Sequence, residues 1–509
     1  MVSTSFRLRA GLSPLALLAA LSVASAEGVP PAPSAAAAPI AAPAQPALPP
    51  VAPGGPPATA QVPADAAKDA PRKPKAAPEL VYARVSADPV PTLTPKTFLD
   101  TLRAAERYQA FAEAGGWEAV PENAVFKPGA SHPAIPALRH HLTLTGDLPA
   151  DAPASDRLDA PLIAAVTAFQ GRHGLPETGL IGRQTIAALN VPASVRQRQL
   201  AASAARLIGS KFAFGERYVV VNIPSATVEA VENGVVARRY VAVVGKPDKA
   251  TPAVESRITD INFNPTWTVP VSVVRNEIIP RMRKEPGYLA KNHIRILGPG
   301  GVEVDPTAVN WNTERAVNYT LRQDAGFDNS LGQVRIDMPN RYAVYLHDTP
   351  SKSLFARNVR FHSHGCVRVG GVKELVGWLL QGTEGPGAGS AWGPIEIETG
   401  IADGERRDLK LAKPVPVAFV YLTGYASPDG RVQFRDDIYG LDTPGGPVPS
   451  AATEPATTGS VAPRPVIRPA RAGQRPPDAA DLKPTVAAVA PATAPRDAPA
   501  PKPPSPIRR

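Results

Sequence analysis

The sequence predicts an α+β protein in which a helical segment precedes a mostly-β domain interrupted by an insertion, with a disordered Pro/Ala-rich arm on either side. Three observations predict this. Apolar residues recur at helical spacing between about 94 and 190, the pattern changes to strand-like alternation from about Arg217, and the 61 prolines concentrate in 27–78 and 443–509.

Taken in order, residues 1–26 have a positive start (Arg7, Arg9), a short apolar run (LSPLALLAALSV) and small residues at Ala24-Ser25-Ala26. This is the pattern of a secretory signal peptide, and the run is too short for a comfortable bilayer span. The expectation is an exported, periplasmic protein with no integral membrane span after cleavage; an uncleaved anchor is the alternative. Residues 27–78 and 443–509 carry few aromatics to bury and are expected to stay disordered.

Between the arms, 79–214 is predicted helical. TPKTFLDTLRAAERYQAFAEAGG places Phe98, Leu102, Ala105, Tyr108 and Phe111 on one stripe, with Thr94 as N-cap and Gly115-Gly116 as stop. Further on, Leu162, Val166 and Phe169 form a second stripe that ends at Gly174. From 215 to 442 the reading is mostly β. RYVVVNIPSATVEAVENGVVARRYVAVVGK is expected to be two strand runs turning at Asn233-Gly234, and YAVYLHDTP a strand with His347 at its end. GGVKELVGWLL reads as a helix, and VPVAFVYLTGYASPDGRVQFRDDIYG as a hairpin turning at Pro428-Asp429-Gly430. About 278–332 interrupts the strand pattern, and its charge and glycines suit either a mobile cap or a rigid surface subdomain.

The net charge of +10 comes largely from the arms: the second has nine Lys/Arg against four Asp/Glu. No basic stripe interleaved with aromatics occurs, so a nucleic-acid partner is not expected.

The chain has one cysteine, Cys366, in FHSHGCVRVG. An exported protein with one cysteine cannot form an internal disulfide, so the residue is either apolar filler or a free thiol. His362, Ser363, His364 and Arg368 around it favour the reactive thiol. An extended strand would set His362, His364 and Cys366 on one face, and His347 would complete four zinc ligands. Gly365 argues for a backbone bend instead, which breaks that face and suits an oxyanion hole. No metal and no cofactor is therefore expected.

His347, fifteen intervening residues, then Ser363-His364-Gly365-Cys366-Val367-Arg368 resembles the active-site signature of the L,D-transpeptidase family. The likeness extends through NPTWTVPVSVVRNEIIPRMRKEPGYLAKN and RDDIYGLD, and FQxxxGLxxTGxIGxxTxxAL within about 138–190 resembles a small peptidoglycan-binding domain. The resemblance implies Cys366 as nucleophile, His347 as base, His364 and Gly365 at an oxyanion hole, and Ser363 as a hydrogen-bonding support. Arg368 is implied to bind a donor carboxylate, and Tyr345 and Trp267 to line a pocket or else to sit in the core. The implied partners are peptidoglycan stem peptides, a donor tetrapeptide and an amine acceptor, with carbapenems as inhibitors. The implied product is a 3→3 cross-link formed through a thioester, with the insertion as a lid. An L,D-carboxypeptidase of the same fold and a non-catalytic wall-binding protein remain the alternatives.

Overall fold

The computed structural model describes residues 81–443. The expected signal peptide, the first arm and all but the first residue of the second lie outside the described residues. The architecture is helices followed by a mostly-β domain, as the periodicities predict.

Five helices come first: α1 (Thr97–Glu113), α2 (Ile135–Leu144), α3 (Ala160–Arg172), α4 (Arg183–Leu189) and α5 (Ala193–Leu207). Leu162, Val166 and Phe169 are buried in one cluster with Leu138, Leu142, Ile186 and Leu189. Helix α1 departs from expectation. It begins at Thr97 rather than at Thr94, which instead closes a turn by accepting the Thr97 N–H (3.1 Å). Its buried face is Thr97, Thr101, Ala104, Ala105 and Tyr108, whereas Leu102 is exposed. The stripe turned because α1 packs small residues against α5 and uses Tyr108 as its fully buried anchor against Phe434 (5.4 Å between rings).

The strands are β1 (Arg217–Asn222), β2 (Thr227–Glu232), β3 (Val235–Gly245), β4 (Val254–Phe263), β5 (Trp267–Thr268), β6 (Ile294–Leu297), β7 (Glu303–Val304) and β8 (Thr320–Gln323). They continue with β9 (Val334–Asp337), β10 (Leu346–His347), β11 (Phe361–Ser363), β12 (Val367–Val369), β13 (Arg407–Val420), β14 (Gly424–Ala426) and β15 (Val432–Phe434). The Asn233-Gly234 turn joins β2 to β3 with both residues at positive φ, 52° and 78°. The run before it is two strands, not one, because the chain reverses again at Ala226 (φ 49°). The predicted strand over 342–350 shrinks to Leu346–His347. The C-terminal hairpin is β14–β15 alone, while VPVAFV belongs to β13, which runs parallel to β1.

The main sheet runs β11-β3-β12-β10-β9-β4-β13-β1-β2, and a further β2–β3 pairing closes it on itself. One face holds the principal core, with Val221, Ile261, Ile336, Leu346, Val367 and Val417 packed against the helix Val372–Leu379. The other face is covered over β1 and β13 by Leu93, Phe212 and Tyr425, and over β3 by Phe355 with Tyr82. Across β12, β10, β9 and β4 that second face is polar.

The insertion leaves the sheet after Phe263 and returns at Val334, so it starts before the expected 278. It carries its own sheet, β5-β8-β6-β7, and its own core of Val274, Ile278, Met282, Leu289, Ile296 and Leu321. Among the described residues no helix is long and apolar enough to cross a membrane.

The helical region and the β domain meet in a polar-aromatic seam. Buried Arg172 pairs with buried Asp147 and also donates to Val432 O (3.3 Å), while Arg435 donates back to Arg172 O (2.8 Å). His141 stacks on Trp117 (4.0 Å) and His173 lies between Phe169 and Phe434. Burial, reinforced by Arg172 and Arg196, holds His141 down to about 3 and His173 well below the ordinary histidine range. An unfolded histidine binds its proton near 6.5, so between there and about 3 the unfolded chain holds more protons than the folded one. This stabilisation is complete above pH 6.5 and is lost as pH falls. At pH 5 the loss is about 2 kcal/mol for a histidine shifted as far as His141. Thermal melts from pH 7.5 to 4 should show a falling Tm, and His141→Phe should flatten the fall; a Tm independent of pH across this range would refute the seam argument.

Candidate active site

The site follows from how two short strands pair. Strands β10 and β12 run parallel with Leu346 beside Val367 and His347 beside Arg368, and on its other edge β10 pairs with β9, His347 opposite Arg335. Side chains alternate between faces along a strand, so Leu346, Val367 and Ile336 enter the core while their neighbours face outward together. One outward row is Arg368, His347, Arg335 and Asn262. The next is Cys366, Tyr345, Asp337 and Asp260.

Cys366 stands immediately before β12, half-buried and unbridged. Burial pushes its thiol above the ordinary range; the Tyr345 backbone and hydroxyl, Arg335 and Arg368 oppose that shift without cancelling it. Tyr345 is buried against the sulfur, with the Arg335 guanidinium 4.7 Å from its ring centroid and the His347 ring at 5.7 Å.

His347 is only 4% exposed. Burial, aided by Arg368, lowers its pKa to about 3, against the backbone of Asp348 and Leu331, which favours the charged form. Its Nδ1 has no hydrogen-bond partner among the described residues. The imidazole is therefore neutral at physiological pH. The two shifts favour thiol and imidazole over thiolate and imidazolium as the resting pair.

The turn carrying the cysteine is held from three sides. Gly365 has φ 115°, a backbone that residues with a side chain rarely adopt. Its N–H donates to Ser363 Oγ (3.2 Å), and Ser363 Oγ donates to Cys366 O (2.6 Å). Its carbonyl accepts from Thr251 Oγ1 (2.8 Å).

Cys366, His347 and Arg368 thus share one polar face, with Ser363 and Gly365 in the turn beneath. The side chain of His364 goes elsewhere. It is partly exposed and its Nε2 pairs with Glu277, on the π-helical turn Val274–Ile278 of the insertion. His362 turns to Val359 O (3.1 Å), so the two histidines and the cysteine diverge rather than gather around a common point. Arg368 keeps a buried Nε without a partner among the described residues, and burial lowers the pKa of its guanidinium. Trp267 packs partly against the core of the insertion. Arg335, Asp337 and Thr251 were missed by sequence reasoning. RID alternates visibly inside VRID, but nothing local says that this strand lies beside His347.

Comparison with known proteins adds the lineage. Residues 216–397 match the L,D-transpeptidase catalytic domain, and residues 131–189 match a peptidoglycan-binding domain. The chain carries an L,D-transpeptidase catalytic domain. A Haemophilus influenzae protein named as an L,D-transpeptidase is 31% identical over 225 residues, 44% of this chain. The matched stretch is also 44% of that relative's own length, less than half of it. Among solved structures, an L,D-transpeptidase from Stackebrandtia nassauensis is similar at 16% identity, covering 58% of this chain and 94% of that one, with a TM-score of 0.22. An L,D-transpeptidase in complex with imipenem is similar at 14% identity, covering 40% and 59%, with a TM-score of 0.20.

The raised thiol of Cys366 has a direct consequence. Alkylation by iodoacetamide at pH 7 should be slower than that of a free thiol, and the midpoint of its pH–rate profile should lie above about pH 8.5, the midpoint of an ordinary thiol. A midpoint at or below about pH 8.5 would mean that the thiol is not held up.

Proposed function

We propose that the chain is an exported, periplasmic peptidoglycan L,D-transpeptidase that joins stem peptides by 3→3 cross-links through a thioester on Cys366. The observation that supports this most is the β10–β12 pairing, which sets one thiol and one neutral imidazole on the same polar face beside a buried guanidinium.

His347 takes the thiol proton as Sγ attacks the carbonyl of the third residue of a donor tetrapeptide stem, a diamino acid. Backbone amides of the 364–366 turn carry the resulting oxyanion. Since the Gly365 amide is already donated to Ser363, that of Cys366 is the better placed. Collapse breaks the C–N bond, the departing nitrogen of the terminal D-alanine takes the proton from His347, and a thioester remains. A neutral amine of a second stem then attacks, gives its proton to His347, and expels the sulfur as thiolate, which takes that proton and restores the resting pair. One amide is broken and one is made, and no cofactor is required. Arg368 suits the carboxylate that ends the donor, through its planar fork.

Two features favour transfer to an amine over hydrolysis. The insertion has its own core and reaches the turn through Glu277, so it can cover a thioester as a lid. The peptidoglycan-binding domain is packed onto the catalytic domain through the Arg172 seam, so wall binding raises the local concentration of acceptor stems.

Purified protein given donor tetrapeptide muropeptides should yield dimers bridged between two diamino acids. Tripeptides alone, with acceptor in excess, would point to the carboxypeptidase. Cys366→Ala should abolish turnover and His347→Ala should lower kcat by about 10²–10⁴-fold; turnover by Cys366→Ala at the unsubstituted rate would end the proposal. Imipenem should add once per chain, at Cys366 by peptide mapping, and an adduct confined to another residue would contradict the thioester mechanism.

A further inference from the structure

The Gly365 carbonyl is tied to a residue more than a hundred positions away in sequence. Thr251 is 2% exposed, and its hydroxyl bridges two backbones: Oγ1 accepts from Gly245 N–H (2.8 Å) and donates to Gly365 O (2.8 Å). Thr251 is itself braced. Its N–H donates to the hydroxyl of Tyr439 (3.2 Å), which in turn donates to Gly245 O (2.7 Å). Tyr439 stacks on Tyr421 at 5.2 Å, and its N–H donates to the Tyr421 hydroxyl (2.8 Å), which donates to Asp437 (2.7 Å). The space is closed as well, because a Cβ on Gly245 would lie 2.2 Å from Lys249 O and 2.6 Å from Thr251 N.

A trans peptide is planar, and its C=O and N–H point in opposite directions. Gly365 O and Cys366 N–H belong to the same peptide unit. Anchoring the oxygen on Thr251 therefore turns the Cys366 N–H away from Thr251 and fixes its direction. The neighbouring amide of Gly365 is already occupied by Ser363. Gly365 at φ 115° has no side chain to limit rotation of this unit, so the orientation depends on the hydrogen bond.

We propose that Thr251, braced by Tyr439, is a positioning residue that aims the Cys366 amide at the oxyanion of the acyl-transfer step. Neither residue touches the reacting atoms. The inference rests on the acyl-transfer reading above and extends it to two residues outside the signature.

The test compares two reactions of the same sulfur. Iodoacetamide alkylates the thiol at a saturated carbon and develops no oxyanion, whereas imipenem acylates it through one. Thr251→Val keeps the shape and removes the hydroxyl; Thr251→Ser restores the hydroxyl. In the full chain, Thr251→Val should slow imipenem acylation by about 10–100-fold, below the full loss of an oxyanion donor. Its alkylation rate should stay within about twofold, and Thr251→Ser should recover most of the acylation rate. With a stem tetrapeptide as donor, the loss should fall on kcat rather than KM. Tyr439→Phe, which keeps the ring, should show the same split more weakly and serves if Thr251→Val does not fold. Equal loss of both reactions, or acylation at the unsubstituted rate in a folded Thr251→Val, would overturn this inference alone. If the unsubstituted chain is alkylated at Cys366 but acylated by neither imipenem nor tetrapeptide, the acyl-transfer reading falls and takes this inference with it.

Discussion

The parallel pairing of β10 with β12 is the constraint on which the site depends. Each strand is only two or three residues long, and neither would hold its place alone. What fixes the register is the inward set, Leu346 and Val367, both fully buried in the principal core. A slip of one residue would send these side chains outward and bring His347 and Arg368 into an apolar interior. The hydrophobic core thus sets the relation of His347 to Cys366, which itself packs partly against it, and the outward row is specified by what lies beneath it.

Burial also sets the chemistry. Removing His347 and Cys366 from water disfavours the charged form of each, and no carboxylate orients the imidazole among the described residues. The neighbouring cations Arg335 and Arg368 push both groups in the same direction, favouring thiolate and opposing imidazolium. A neutral resting pair avoids keeping an ion pair in a low-dielectric pocket. This places unusual weight on the 363–366 turn, in which the Gly365 N–H, the Gly365 carbonyl and the Cys366 carbonyl are each held by a buried hydroxyl, Ser363 or Thr251.

The insertion and the helical region act on this centre differently. The insertion is a folded body with its own apolar cluster, attached at both ends to adjacent strands, β4 and β9, and touching the turn through Glu277 and His364. The helical region is joined through a seam of arginine, histidine and aromatic side chains centred on Phe434. The Arg172–Asp147 ion pair lies within the helical region and fixes the guanidinium that donates across the joint to Val432 O.

The sequence by itself determined the order of elements, the stripe of Leu162, Val166 and Phe169, the Asn233-Gly234 turn, and the short polar stretch that holds Cys366. All are encoded within a few residues, by periodicity, by turn chemistry, or by a lone cysteine in a polar setting. It also carried the bend at Gly365, because one residue type meets that backbone demand. It did not determine that α1 would turn its stripe toward α5, that VPVAFV would leave the expected hairpin for the main sheet, or that His364 would face the insertion. Nor did it show that Arg335 lies beside His347 with Asp337 in the next row, or that Thr251 and Tyr439 stand behind the cysteine. Those facts depend on strand order, and strand order is decided by which apolar faces can be buried together in three dimensions. Hydrophobic burial is not directional and carries no local signature of its partner, so residues brought together only by closure of the sheet stay invisible until it closes.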